Sequence, residues 1–287
     1  MLYLNKFMFL VKDYEEWFRS TIKLTCYTSL YPFGILSKNE IKEIEFEPIT
    51  IFYGGNGCGK TTALNIISEK LKLQRDTLYN KSNFFNDYLE YCSYESSSIP
   101  ENSRIITSDD VFDFTMNIRY LNQGLDMKRD ELLDEYLDRK FTKYDKFKSL
   151  DDYDNLKRSV LSKKVSQSEF VRRNHVFNVK ENSNGESAYI YFTNKIEKDA
   201  LYLLDEPENS LSPEKQLELL QFIQDSVRFY NCQFIIATHS PFLLSLKDAK
   251  IYDFDEYPLT VKKWTDLKNV IEYFNFFKNH IKEFDKK

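Results

Sequence analysis

Glycine and proline are both scarce, with seven of each in 287 residues. That excludes a collagen-like or low-complexity chain, in which both run far higher. Cysteine is thin as well. Cys26, Cys58, Cys92 and Cys232 form no CxxC pair and no metal-ligand spacing, which leaves no disulfide framework and no zinc motif. They read as reduced thiols, the usage of a cytoplasmic protein. No uncharged run approaches the ~18 apolar residues of a membrane span. The opening MLYLNKFMFLVKDYEEWF is interrupted by Lys6, Lys12 and Asp13, so neither a signal peptide nor a membrane partner is expected. A net charge of −5 argues against a surface that is basic all over. What remains is the composition of a soluble globular protein, 42% hydrophobic and 30% charged, with 24 Phe and 20 Tyr. The length suits one large domain or two modest ones.

The scarce glycine is concentrated where it is needed. Four of the seven stand at Gly54, Gly55, Gly57 and Gly59, within the run ITIFYGGNGCGKTT. The run contains Gly54-x-x-x-x-Gly59-Lys60-Thr61, the full phosphate-loop pattern. Residues without a Cβ let the backbone fold into a tight nest whose N–H groups converge on a phosphate. Lys60 then places a point charge on the outer phosphate oxygens, and the Thr61 hydroxyl can ligate Mg²⁺. An apolar β-rich run precedes the loop, and a helical run with Ala63, Leu64, Ile66, Ile67 and Leu71 follows it. The phosphates would therefore sit at a helix N-terminus. The predicted cradle is Gly54, Gly55, Asn56, Gly57, Cys58, Gly59, Lys60, Thr61 and Thr62.

Two buried strands are expected further on. Ala200 to Glu206 reads ALYLLDE, an apolar run ending in two acids. Such a run suits a strand covered on both faces of a parallel sheet, and ligands bind at the carboxyl ends of those strands. Asp205 would meet Mg²⁺ there, and Glu206, one residue further out, would polarise an attacking water. Gln233 to His239 is the second such strand. His239 ends it at the same rim, where a contact to the outermost phosphate is expected. Between them, Ser212-Pro213-Glu214 suits a helix start, with Ser as N-cap and Pro at N1. Upstream, Asn182-Ser183-Asn184-Gly185-Glu186-Ser187 leads into a helix.

As an ordered set these motifs resemble the ATP-binding-cassette ATPases, in particular the soluble SMC/RecF/OLD-like branch often labelled "AAA family ATPase". The resemblance covers the loop at 54–61, a signature at Ser183, Asn184, Gly185 and Glu186, the strand ending Asp205-Glu206, a short loop at 209–212 and the switch histidine His239. It implies an α/β phosphate-loop NTPase with a mostly parallel central sheet, antiparallel lead-in strands and a helical insertion. It further implies ATP and Mg²⁺ as ligands and a head-to-tail homodimer with two ATPs sandwiched between the copies. Ser183, Gly185 and Glu186 of one copy would then act at the ATP held by Lys60 of the other. The signature reads SNGE where SGGE or SGGQ is usual, and Cys58 stands where Ser is usual. No glutamine marks the loop after the Arg104-Ile105-Ile106-Thr107 strand. Asp109, at that strand's end, is a candidate to touch Mg²⁺ or water, with a surface helix cap as the alternative reading.

The rest of the chain is arranged around this core as one domain over 1–287. Ser20 to Leu30 is β-rich, and Ile41 to Phe46 alternates apolar with charged residues, so residues 1–50 read as lead-in strands. Tyr31 or Phe33 could stack on adenine, or pack in the core. Residues 75–180 read as a helical insertion. Between Arg139 and Lys180 stand twelve Lys/Arg against five Asp/Glu, a local +7 in an acidic chain. That is either a solvated helical face or a surface for DNA, RNA or an acidic partner. Residues 260–287 carry a C-terminal helix, Leu267 to Phe284, whose apolar stripe is expected to pack on the domain, with a partner surface as the alternative. The process served is open: a nucleic-acid-linked one such as DNA repair or phage defence, a switch acting on a separate effector protein, or a transporter's ATP-binding subunit.

Overall fold

The computed structural model describes residues 2–22, 26–141, 160, 163–174, 178 and 184–284. Its organising layer is a six-stranded sheet. The strands are β3 (Ile49–Tyr53), β5 (Arg104–Thr107), β6 (Leu201–Asp205), β7 (Gln233–Ala237), β8 (Lys250–Asp253) and β9 (Thr260–Lys262), in the order β5-β6-β7-β3-β8-β9. All neighbours pair in parallel except the edge pair β8 and β9. Every residue of β3, β6 and β7 is buried. Helices on the two faces of a parallel sheet leave no solvent side, and the sequence answers with unbroken apolar runs. The registers Phe52↔Ala237, Asp205↔Ala237 and Thr107↔Asp205 bring the carboxyl ends of four strands to one level.

A second sheet is antiparallel, in the order β2-β1-β4, from β1 (Leu4–Met8), β2 (Glu43–Glu45) and β4 (Ser93–Ser96). One side chain fastens it to the first. Gln233, fully buried at the start of β7, accepts from the N–H groups of Tyr3 (2.8 Å) and Leu4 (2.9 Å) and donates to the Leu4 carbonyl (2.8 Å). A buried amide is tolerated because its polar atoms are met.

The lead-in region is not all strand. Lys12–Thr21 forms helix α1, and among the described residues from there to Leu30 there is no strand. Tyr14, Trp17 and Phe18 recur at helical spacing, and Asp13 and Arg19 complement the helix dipole at opposite ends. The Ser20 and Thr21 hydroxyls donate to the carbonyls of Trp17 and Phe18, so both polar side chains are absorbed by the last turn of the helix. Phe18 stacks on Phe33 with ring centres 4.6 Å apart.

The chain divides into two compact units, Met1–Phe112 with Asn184–Lys287, and Asp113–Ser183. The first holds both sheets, with α2 (Lys60–Leu71) and α3 (Phe85–Glu90). It therefore retains residues 75–112, including β4 and β5, and the helical unit is smaller than the 75–180 read from the sequence. The helix α4 (Ser108–Phe141) supplies most of that unit's described residues, joined by α5 (Gln167–Asn174). Within the unit, Leu132, Tyr136, Phe170 and Val171 form a small core, and the Tyr136 hydroxyl donates to the Val165 carbonyl at 3.1 Å.

The remaining helices are α6 (Asn184–Lys195), α7 (Pro213–Phe229), α8 (Pro241–Leu244), α9 (Lys268–Asn279) and α10 (Ile281–Phe284). The α7 start is as expected: Ser212 Oγ accepts from the Lys215 N–H, and Pro213 is at N1. The C-terminal stripe departs from expectation. Leu267 and Val270 are buried, while Tyr273, Phe274, Phe277, Ile281 and Phe284 are exposed, Phe274 by 63%. Among the described residues, burial of this helix is confined to its first turn. Among the described residues no helix is long and apolar enough to cross a membrane.

Candidate phosphate-binding site

The loop between β3 and α2 turns through three left-handed glycines, Gly54 (φ +149°), Gly57 (+81°) and Gly59 (+104°). Gly59 is forced twice. A side chain there would be strained by φ, and a Cβ would lie 3.0 Å from Leu36. Gly57 faces open space, with nothing within 4 Å of a Cβ, and forms the mouth of the cradle. Lys60 opens α2 and is 4% exposed. Its ammonium donates to the carbonyls of Gly54 (2.7 Å) and Gly55 (3.0 Å), and no carboxylate among the described residues pairs with it. A buried ammonium ringed by carbonyls is a site that an anion completes.

Asp205 ends β6 beside it. The Thr61 hydroxyl donates to Asp205 Oδ1 at 3.1 Å. Burial pushes the Asp205 carboxyl up to about 6, partly opposed by that hydrogen bond. A carboxylate and a hydroxyl fixed together with too little solvation are the donor set a hard divalent cation takes. Glu206 leaves the strand at φ +49°, a left-handed conformation unusual for a residue with a side chain. Its Oε2 accepts from Asn209 Nδ2 at 2.9 Å, and its Oε1 stands 3.6 Å from His239 Nε2. His239 Nε2 lies 3.1 Å from the Lys60 ammonium. An ammonium only donates, so a hydrogen bond between the two requires the tautomer in which Nε2 carries no proton. Lys60, His239 and Glu206 thus form a continuous line, with Thr61 and Asp205 beside it.

A pocket of about 280 Å³ continues from Thr61 and Asp205, walled also by Asn65, Arg75, Thr107 and Asp109. Asp109 therefore shares a cavity with the pair expected to hold the cation. The cap is Thr107, whose Oγ1 accepts from the Asp110 N–H at 3.4 Å, while Asp110 Oδ2 accepts in return from the Thr107 N–H (2.6 Å) and hydroxyl (2.9 Å). Of the two adenine candidates, Phe33 is core, stacked on Phe18 and edge-on to Tyr88. Tyr31 stays beside the loop, its hydroxyl donating to Thr62 Oγ1 at 3.3 Å. Asn56 is exposed on the loop. The Cys58 sulfur is 3.8 Å from Lys60, and burial raises its thiol pKa, which disfavours a reactive thiolate.

Asn184, Gly185 and Glu186 lie in the first turn of α6, earlier than the expected helix start. Gly185 packs on the 209–212 loop, where a Cβ would come 3.1 Å from the Ser210 carbonyl. Ser183 lies outside the described residues, as does most of the basic stretch between Arg139 and Lys180.

Three residues at this site carry no motif. Glu208 Oε1 accepts from the N–H groups of His239 (2.6 Å) and Ser240 (3.1 Å), while Asn269 Nδ2 donates to the His239 carbonyl at 3.0 Å. The histidine backbone is held from both sides. Arg75 lies over the Tyr79 ring at 4.4 Å and donates to Asn65. Glu208 was open to detection as the third acid of the Asp205-Glu206-Pro207-Glu208 run. Nothing in the sequence beside Arg75 or Asn269 marks either as part of this site.

Comparison with known proteins adds a family. The sequence matches, over residues 68–245, the family AAA_21, described as "AAA domain, putative AbiEii toxin, Type IV TA system". No curated protein matches the chain. Among solved structures, the Smc head domain with an extended coiled coil, bound to the C-terminal domain of ScpA and derived from Pyrococcus furiosus, is 14% identical. It covers 81% of this chain and 95% of its own, with a TM-score of 0.38. The ATP-binding cassette MJ0796, a dimer in a post-hydrolysis state with ADP and Pi, is 15% identical. It covers 78% and 90%, with a TM-score of 0.36.

Proposed function

The chain belongs to the AAA_21 family and is an ATPase, and from that premise we propose that Mg²⁺-dependent ATP binding closes two copies head to tail and hydrolysis reopens them. The observation that carries this reading is the convergence of Lys60, His239, Glu206, Thr61 and Asp205 at the carboxyl ends of β3, β6 and β7. The glycine-lined loop and Lys60 hold the phosphates. Thr61 and Asp205 would hold Mg²⁺, with Asp109 on the pocket wall beside them. Bound there, the cation supplies charge neutralisation on the phosphate oxygens. Glu206 takes the proton of the attacking water, held by Asn209 in the orientation that leaves Oε1 toward His239. His239 reads the outermost phosphate, its backbone fixed by Glu208 and Asn269. Gly185, Glu186 and Ser183 serve the partner copy's nucleotide.

For the process served, the family description favours defence and effector control over transport. A nucleic-acid-linked role is supported by the +7 balance between Arg139 and Lys180. A second reading, a switch acting on a separate effector protein, is favoured by the exposed aromatics of α9 and α10. ATP turnover of the wild type, Glu206→Gln and Lys60→Ala tests the chemistry. Glu206→Gln is expected to bind ATP without turning it over, and Lys60→Ala to lose binding; turnover at the wild-type rate in either refutes the assignment. DNA binding that weakens steeply with salt separates the two roles.

A further inference from the structure

The peptide joining Gly54 to Gly55 stands between two opposite charges. Its carbonyl oxygen accepts from the Lys60 ammonium at 2.7 Å. Its N–H, on Gly55, donates to the Asp255 carboxylate, 2.8 Å from Oδ1 and 2.7 Å from Oδ2. Asp255 follows β8, which the Tyr53↔Asp253 register sets level with the end of β3. Its backbone is fixed in turn: the Asp255 N–H donates to Asp253 Oδ1 at 3.0 Å, and Asp253 is buried and paired with Lys262 at 3.0 Å. The carboxylate is closely fitted against the loop. A Cβ on Gly54 would come 3.2 Å from Asp255 Oδ1, and one on Gly55 would come 3.4 Å from it.

We propose that Asp255 is a positioning residue of the phosphate loop: by holding the Gly55 N–H it turns the Gly54 carbonyl toward Lys60 and sets where the lysine ammonium stands. The inference rests on the reading of this loop as the ATP site. Its physical basis is the orientation of one peptide dipole. As built, the carbonyl faces a cation and the N–H faces an anion, and both hydrogen bonds are charge-assisted. Rotating the peptide by half a turn would aim the N–H at the ammonium and the oxygen at the carboxylate, reversing the sign of both interactions. A glycine pair needs such a constraint, because neither residue's own sterics resist that rotation. Asp255 acts through Lys60 and does not itself contact the phosphates. A carboxylate near bound phosphates would also repel them, so its net effect on affinity separates two roles: an orienting acceptor strengthens binding, and a bare charge weakens it.

The test is ADP binding by titration calorimetry on the whole chain, for wild type, Asp255→Ala, Asp255→Asn and Lys60→Ala, with the unfolding midpoint of each taken without nucleotide. Asp255→Ala is expected to weaken ADP binding about tenfold, the scale of one charge-assisted hydrogen bond. Asp255→Asn keeps an acceptor oxygen of the same reach and is expected to stay within about threefold of wild type. Unchanged midpoints show that the loss belongs to the loop and not to the fold. Should Asp255→Ala fail to fold, Asp255→Ser, whose hydroxyl is too short to reach Gly55, takes its place with the same expected loss. Wild-type affinity in the alanine or serine variant overturns the proposal, as does tighter binding in both Asp255→Ala and Asp255→Asn, which would make the carboxylate an electrostatic brake. Lys60→Ala is read separately. If it binds ADP like the wild type, the phosphate-loop reading itself fails, whatever Asp255 does.

Discussion

β6 and α9 are both rich in large apolar residues, and they meet opposite fates. Every residue of β6 is buried between β5 and β7, whereas α9 buries Val270 and leaves Tyr273, Phe274, Phe276 and Phe277 in solvent. Hydrophobicity alone does not separate them. What separates them is enclosure. A parallel strand is covered on both edges by its neighbours and on both faces by helices, while α9 touches the domain through its first turn, where the Asn269 N–H donates to the Tyr53 hydroxyl and the Asn269 side chain to His239. The buried region carries the candidate chemistry, Asp205 and Glu206, at its carboxyl end. The exposed region is surface, attached to that chemistry at one point.

Substitutions at the two regions are expected to diverge accordingly. The largest effect is at the end of β6: Glu206→Gln lowers kcat about 10²- to 10⁴-fold in steady-state assays, the range set by loss of a general base. A loss under tenfold would mean that another group takes the proton. Within the strand, Leu203→Ala costs about 2–5 kcal/mol of folding stability in denaturant titration, because a fully enclosed side chain leaves a cavity.

Asp205 gives the strand end a pH signature. Its pKa stands at about 6 in the folded chain against an ordinary 3.8, so the unfolded state ionises first as pH rises. Its contribution to stability is therefore intact below pH 4 and is lost as pH rises through 6, by up to about 3 kcal/mol. Asp205→Asn removes that slope and also removes the stabilisation by Mg²⁺ expected of the wild type. Parallel pH profiles for the two proteins would contradict it. At the other extreme, Phe277→Ser on α9 is expected to change stability by no more than about 0.5 kcal/mol. A loss like that of Leu203→Ala would mean that α9 is covered in solution, and the contrast between the two regions would fail.

Much of the candidate site was legible because its residues stand close together in the sequence or end buried runs. Gly54 to Thr62 carries the cradle, its lysine and its hydroxyl in nine successive residues. Asp205, Glu206 and His239 are marked by ending buried apolar runs. The residues that hold this machinery in place were not legible, because their partners are remote in sequence. Asp255 is 200 residues from Gly55, and Gln233 is 230 from Tyr3. Glu208 sits in plain view two residues after Glu206, yet its contact depends on a fold that brings the His239 N–H 31 residues back to it. Elsewhere, propensity misled. Thr21 favours a strand in isolation but closes helix α1. The stripe from Leu267 to Phe284 has the period of a packed face, and period states which residues share a face without stating what covers it.

The central claim is that ATP closes two copies across this site, and the size of Glu206→Gln in solution tests it most directly. Light scattering after size exclusion, with and without ATP and Mg²⁺, reads the answer. The account predicts a monomer without nucleotide and a dimer with it. A monomer under both conditions would contradict it.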